Sequence, residues 1–175
     1  MSTDTVRTDV LGHEASVRYS QTWAGYAILL LRLAIGWVLF NAGVSRITDP
    51  TLAAADVFRT VPAGNPFQPV WDLIGEPLAW LLGPLVLWSL AIVGTLLIFG
   101  AFVRLAAIVA GALLILLWAR SLPLGNAVFV DEHVVYLIAL FSLCSLGAGR
   151  IAGLDAYFEH HRLVADRPWL RYLLG

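Results

Sequence analysis

The chain alternates long apolar runs with short polar punctuation, and the runs are of membrane length. Residues 24–47 read AGYAILLLRLAIGWVLFNAGVSRI, residues 78–102 and 105–118 are apolar almost throughout, and residues 134–146 form a shorter run. A helix crossing the ~30 Å hydrocarbon layer needs roughly 20 mostly apolar residues at ~1.5 Å each. The pattern therefore predicts four spanning helices, over residues 22–47, 78–102, 105–118 and 134–146, with Trp23 and Tyr26 in an interfacial belt. The second run is longer than a crossing demands. Gly83-Pro84 predicts a break there, so that the true crossing begins near Pro84 and the part before it lies shallow.

The polar stretches are of three kinds. Residues 1–22 carry Asp4, Arg7, Asp9, Glu14 and Arg18 without an apolar period, which predicts a disordered tail. Residues 48–75 are rich in proline, and Asp49-Pro50 is a helix-start signal for a short helix over 51–59. Farther on, Phe67, Val70, Trp71, Ile74 and Leu78 recur at helical spacing with Asp72 and Glu76 between them, the pattern of a helix lying in the membrane surface. Residues 151–175 mix Leu154, Tyr157, Phe158, Trp169, Leu170, Leu173 and Leu174 with Arg162, Arg167 and Arg171, which predicts an amphipathic surface tail. The expected fold is an all-α membrane protein: an antiparallel four-transmembrane-helix bundle over 23–150, with a proline-rich outer loop and amphipathic surface segments.

Composition agrees with this reading. The chain is 59% hydrophobic and 13% charged, against about 45–50% and ~25% for a soluble domain. All eleven basic residues are arginine, and the net charge of −1 gives no footprint for nucleic acid. Four crossings put both termini on one side. That side holds Arg7, Arg18, Arg104, Arg150, Arg162, Arg167 and Arg171; the other holds Arg46, Arg59 and Arg120. The positive-inside rule then places both termini in the cytoplasm of a multi-pass cell-membrane protein. No short apolar segment follows a basic start, so the first helix is expected to act as its own signal-anchor. The single cysteine, Cys144, excludes an internal disulfide or a CxxC pair, and in an apolar run it reads as an inert thiol.

Two places carry candidate chemistry. Arg32 lies about a third of the way into the first span, where a charge costs about 2.5–3.5 kcal/mol on insertion scales. At ~100° per residue Arg32, Gly36 and Gly43 share one face within about 40°, which predicts that this small, cationic face turns toward other helices. Arg32 is a candidate for catalysis or for holding an anionic group or a cofactor, the alternative being an ion-paired or snorkelling arginine that fixes packing. Asp131, Glu132 and His133 open the fourth span. They are candidates for a proton relay, with Tyr136 one turn on as a candidate contact for a cofactor; helix capping is the alternative. Three adjacent residues point around a helix rather than at one ion, so no metal site is expected. Arg104 and Arg150 with Asp155 are expected to pair at the membrane surface, and His160-His161 to be solvated.

The stretches LLRLAIGWVLFNAGVSRI, GTLLIFGAFVRLAAIVAGALLIL and LGAGRIAGLD together resemble the DoxX/DoxD family of four-helix membrane proteins. The likeness runs from residue 29 to 155 through Arg32, Gly36, Gly43, Gly100, Arg104, Gly147, Gly149, Arg150 and Asp155. Where the family often has Lys after the first helix, this chain has Arg46. The resemblance implies the four-helix fold. For function it implies an integral membrane subunit of a redox complex, quinone-linked, such as a thiosulfate:quinone oxidoreductase or a quinol oxidase. It is expected to bind no covalent cofactor and to work beside a partner oxidoreductase subunit or in a homo-oligomer. The alternative is a non-catalytic structural or partner-binding membrane protein. The shortage of intramembrane polar residues and the lack of repeats speak against solute transport.

Overall fold

The computed structural model describes residues 3–10, 13–49, 54–125, 130–159 and 173–174. Its body is helical: α1 (Gln21–Thr48), α2 (Asp56–Arg59), α3 (Gln68–Phe99), α4 (Val103–Ser121), α5 (Glu132–Ser145) and α6 (Asp155–Phe158), with a 3-10 helix over Ala148–Arg150. Helix α1 packs on α3, α3 on α4, α4 on α5, and α5 back on α1. Among the described residues three helices are long and apolar enough to span a membrane: Gln21–Thr48, Pro77–Phe99 and Val103–Ser121. Helix α5 is equally apolar but has 14 residues, about 21 Å at ~1.5 Å each and short of a ~30 Å core.

The expected small face of α1 is turned inward. Its buried residues are Arg32, Ile35, Gly36, Leu39 and Gly43. A Cβ on Gly43 would come 2.5 Å from Leu87 O and 2.7 Å from Ala91 N, and one on Gly36 would meet Gly94 O at 3.1 Å. As the α1 number rises the α3 number falls, so the two helices run antiparallel with their backbones nearly touching. Close approach of this kind is how helices gain packing energy in a solvent as apolar as themselves. The bulky residues Trp37, Trp80, Trp88, Ile92 and Phe99 are exposed around the outside.

Three local expectations are corrected. Residues 3–10 and 13–20 form an antiparallel ribbon, β1 (Thr3–Val10) and β2 (His13–Ser20), with Val6 opposite Val17 and Val10 opposite His13. Thr3, Thr5, Val6, Thr8, Val10 and Val17 are β-branched and suit an extended, pleated backbone, which the charge count alone conceals. The predicted break at Gly83-Pro84 is absent, and the surface helix and the second span are one continuous helix through Pro77 and Pro84. At Pro84 the preceding residue is Gly83, which has no Cβ for the proline ring to strike; the same glycine lets Ala54 O lie against α3. The short helix before it is confined to Asp56–Arg59, with residues 50–53 outside the described set. The arginine-rich part of the C-terminal segment, 160–172, also lies outside the described residues. Beyond it Leu105 N donates to Leu173 O and Leu174 is buried, so the chain returns to the start of α4.

Candidate functional site

The helices end in two polar clusters, one at each end of α4. The first, the glycine end, is built on the α3–α4 turn. Helix α3 closes with Gly100 in the left-handed region, its N–H donating to Leu97 O while Ala101 N donates to Leu96 O. This paired pattern requires φ > 0 at one residue, which glycine supplies at no steric cost. A Cβ there would also strike Arg32 Nη1 and Gly153 Cα, each at 2.7 Å. Arg32 is 1% exposed. Its Nη1 donates to Ala148 O at 2.5 Å and Ile151 O at 2.9 Å, and Nη2 to Ala152 O at 3.2 Å. These carbonyls belong to the turn after α5, so Arg32 lies level with the ends of α3 and α5 and ties α1 to both.

Asp155 completes that end. It is fully buried, and its Oδ1 and Oδ2 accept from Phe102 N (2.6 Å) and Val103 N (3.0 Å). The first amides of α4 have no partner within the helix; a carboxylate from a distant loop serves them, where helix dipole and hydrogen bonds both favour a negative charge. Leu154 N donates to Phe99 O and Asp155 N to Gly100 O, so the loop is held by main chain as well. The expected surface pairing of Arg150 with Asp155 is replaced: Arg150 Nη2 contacts Glu159 Oε1 at 3.0 Å, while Asp155 turns inward to the amides.

The second cluster, the loop end, caps the other terminus of α4. Asn65 is buried and its Nδ2 donates to Ala119 O, Arg120 O and Leu122 O at 2.8–3.0 Å, while Oδ1 accepts from Phe67 N at 2.7 Å. One amide thus satisfies the carbonyls that α4 leaves open and fixes the start of α3. Arg120 Nη2 donates to Thr60 O and Oγ1, and its Nε is buried with no partner among the described residues.

Beside this cap is a cavity of about 250 Å³ lined by Ala42, Arg46, Val57, Leu87, Leu90, Leu117, Arg120, Ser121, Glu132 and His133. Asp131 organises one wall. It is the N-cap of α5, its Oδ1 accepting from His133 N and Val134 N, while its Oδ2 lies 2.7 Å from His133 Nδ1. A carboxylate at Nδ1 holds the proton on that nitrogen and leaves Nε2 as the acceptor. The cavity can therefore offer guanidinium donors, one histidine nitrogen able to take or give a proton, and apolar walls.

The sequence candidates separate accordingly. Asp131, Glu132 and His133 come together with the cavity, the first through its contact with His133. Arg32 is at the opposite end, engaged by its own chain, and Tyr136 packs against the hydrophobic core and is not among the residues lining the cavity. Arg46 and Arg120 stood in the sequence as topology charges, and nothing in the sequence singled out Asn65. Their convergence depends on the α3–α4 pairing, which no local pattern announces. Among the described residues no three His, Cys, Asp or Glu side chains gather in a way that could hold a metal ion.

Long apolar helices packed through glycine, with polar groups drawn to the helix ends, define a small integral membrane protein of the helical type. The chain belongs to the DoxX family, whose model matches residues 27–120, just over half of its length. That match includes Arg32, Asn65 and both cavity arginines and stops short of Asp131. Neither a curated protein nor a solved structure matches the chain.

Proposed function

We propose that the chain is a membrane subunit of a quinone-linked redox complex, and that the loop-end cavity receives the quinone ring. The observation that carries this reading is the placement of His133, backed by Asp131 at 2.7 Å, in one cavity with Arg46, Arg120 and the walls formed by Val57, Leu87, Leu90 and Leu117. A quinone ring is flat and apolar with two carbonyl oxygens, and it takes up protons as it is reduced. Guanidinium groups can hold an oxygen, and His133 Nε2 can hold and release a proton beside it while Asp131 fixes the imidazole. Exposed Glu132 at the rim provides an exchange point with water. The electrons come from a partner oxidoreductase subunit. In this reading α5 is the fourth crossing, its shortfall met by local thinning of the bilayer. Arginine placement puts both termini in the cytoplasm of the cell membrane and the cavity on the outer side. Arg32, whose donors go to three main-chain carbonyls, holds the helices rather than a ligand.

The test is photolabelling of the purified chain in lipid nanodiscs with a quinone carrying an azide on its ring. Labelling at the loop end, competed by unlabelled quinone and lowered about tenfold by His133→Ala, is expected, since losing one partner of a charge-assisted bond costs about 1.5–3 kcal/mol. Labelling that His133→Ala leaves unchanged, or that unlabelled quinone does not compete, overturns the proposal. Reporter fusions check the orientation: a periplasmic reporter placed after residue 63 should be active and one after residue 159 silent.

A further inference from the structure

The cavity does not stand alone. A groove of about 180 Å³ lined by Leu114, Ile115, Trp118, His133, Val134 and Leu137 adjoins it, with His133 in the walls of both. This groove runs into a larger one, about 600 Å³, between α4 and α5, and Ile115 and Leu137 belong to both. The larger groove is floored by the small residues Ala107, Gly111 and Ala112 and walled by Ile108, Ile138, Phe141 and Cys144. The track thus begins at two arginines and a histidine and continues as hydrocarbon surface open to the side. Its larger part falls within the ~300–1,000 Å³ usual for ligand sites.

We propose that this track is the seat of the ligand's hydrocarbon tail: the quinone ring enters the cavity from the bilayer rather than from water, and its isoprenoid chain lies along the α4–α5 groove past His133. The proposal rests on the reading of the cavity as a ring site. Three features argue for a tail rather than a second helix or a whole phospholipid. The track and the polar cavity share His133 as a lining residue, so one molecule with a polar head and a single chain has adjoining seats for both. His133 stands at the junction, where the bond from ring to tail would pass. Gly111 keeps the floor narrow, since a Cβ there would lie 3.2 Å from Leu137 Cδ1, which suits a thin chain. Lipid tails are as apolar as the groove, so the gain from seating the chain is packing and orientation and not the hydrophobic effect.

The experiment uses the full chain in nanodiscs and two probes: a quinone with an azide on the ring, and one with a diazirine at the end of a four-isoprene tail. Tail labelling should concentrate on the peptides bearing residues 107–115 and 137–144. Ala112 is exposed and lines the groove, so Ala112→Trp fills it without entering the core. It should cut groove labelling by about tenfold, the scale set by overfilling an apolar site, and leave loop-end labelling by a ring-azide quinone that carries no isoprenoid tail within about twofold. Ile92→Trp, equally exposed but on α3, should change neither. Tail label spread over α1 and α3 as freely as over the groove, or unmoved by Ala112→Trp, overturns the tail seat while the ring reading stands. Loss of competed ring labelling in the unaltered chain overturns both. A co-purified phospholipid that retains the groove against excess quinone also overturns the tail seat.

Discussion

Asp155→Ala is the most informative single perturbation of the glycine end. In the native chain one buried carboxylate satisfies two amides at the start of α4, at 2.6 and 3.0 Å. The first belongs to Phe102, which is itself held at φ 50°, a conformation that costs of order 1–3 kcal/mol for a residue with a Cβ and persists only when its surroundings fix it. Hydrogen bonds to a charged group contribute about 1.5–3 kcal/mol each, so deleting both partners should destabilise the protein by about 3–6 kcal/mol. Asp155→Asn separates the contributions. Its carbonyl oxygen can serve one amide but its NH2 confronts the other, so the loss should be roughly half, about 2–3 kcal/mol. The assay is reversible unfolding in mixed micelles titrated with denaturing detergent, followed by helicity and by Trp fluorescence. Equal stability of the unaltered, Asn and Ala chains would falsify the account of Asp155 as a helix cap supplied from a distance. An Asn variant as unstable as Ala would show that the charge itself, and not the pair of bonds, is what α4 needs.

Other outcomes follow from the same geometry. Gly94→Val should prevent assembly, because a Cβ there collides with Phe40 N and Gly36 O, whereas Gly25→Ala, with nothing within 4 Å, should change stability by no more than about 0.5 kcal/mol; retention of the folded peak in size-exclusion chromatography measures both. Asn65→Ala strips the donors from Ala119 O, Arg120 O and Leu122 O and should cost about 1–3 kcal/mol in the same unfolding assay. Asp131→Asn preserves the helix cap, since Asn is as good an N-cap as Asp, but presents an amide to His133. Stability should stay within about 0.5 kcal/mol, while the nitrogen chemical shifts of labelled His133 report proton transfer from Nδ1 to Nε2; unchanged shifts refute the assignment of Asp131 as the group that sets the tautomer.

What the amino-acid pattern conveyed depended on the range of the interaction behind it. Helix existence was legible because a span must be apolar along its whole length, and the inward face of α1 was legible because Arg32, Gly36 and Gly43 repeat at helical spacing. The continuity of α3 was not: proline signals a break, and the exception at Pro84 depends on the neighbouring glycine and on the approach of Ala54. The ribbon of β1 and β2 was hidden because its β-branched residues are interleaved with charges. Asp131, Glu132 and His133 stood out as a titratable run at a helix start, yet nothing local linked them to Arg46 and Arg120, nearly ninety and a dozen residues away in the chain.

Arg32 and Arg120 show why a charge at an apolar helix is a question and not an answer. Both sit on helices that should exclude them, and both would be nominated as sites by the cost of placing them there. The discriminating feature is where their donors go. Arg32 spends three hydrogen bonds on carbonyls that the turn after α5 would otherwise leave open, between Gly100 and Gly153, where a Cβ on either would meet its Nη1. Both guanidinium groups keep a buried Nε without a partner among the described residues; Arg120 gives one nitrogen to Thr60 and faces a cavity that a histidine and a second arginine share. A buried charge whose field is already answered by its own main chain stabilises the fold; one answered only in part retains the capacity to recognise something else. On the proposed reading a ligand is met at the end of α4 that Asn65 caps, while the end that Asp155 caps holds the helices together.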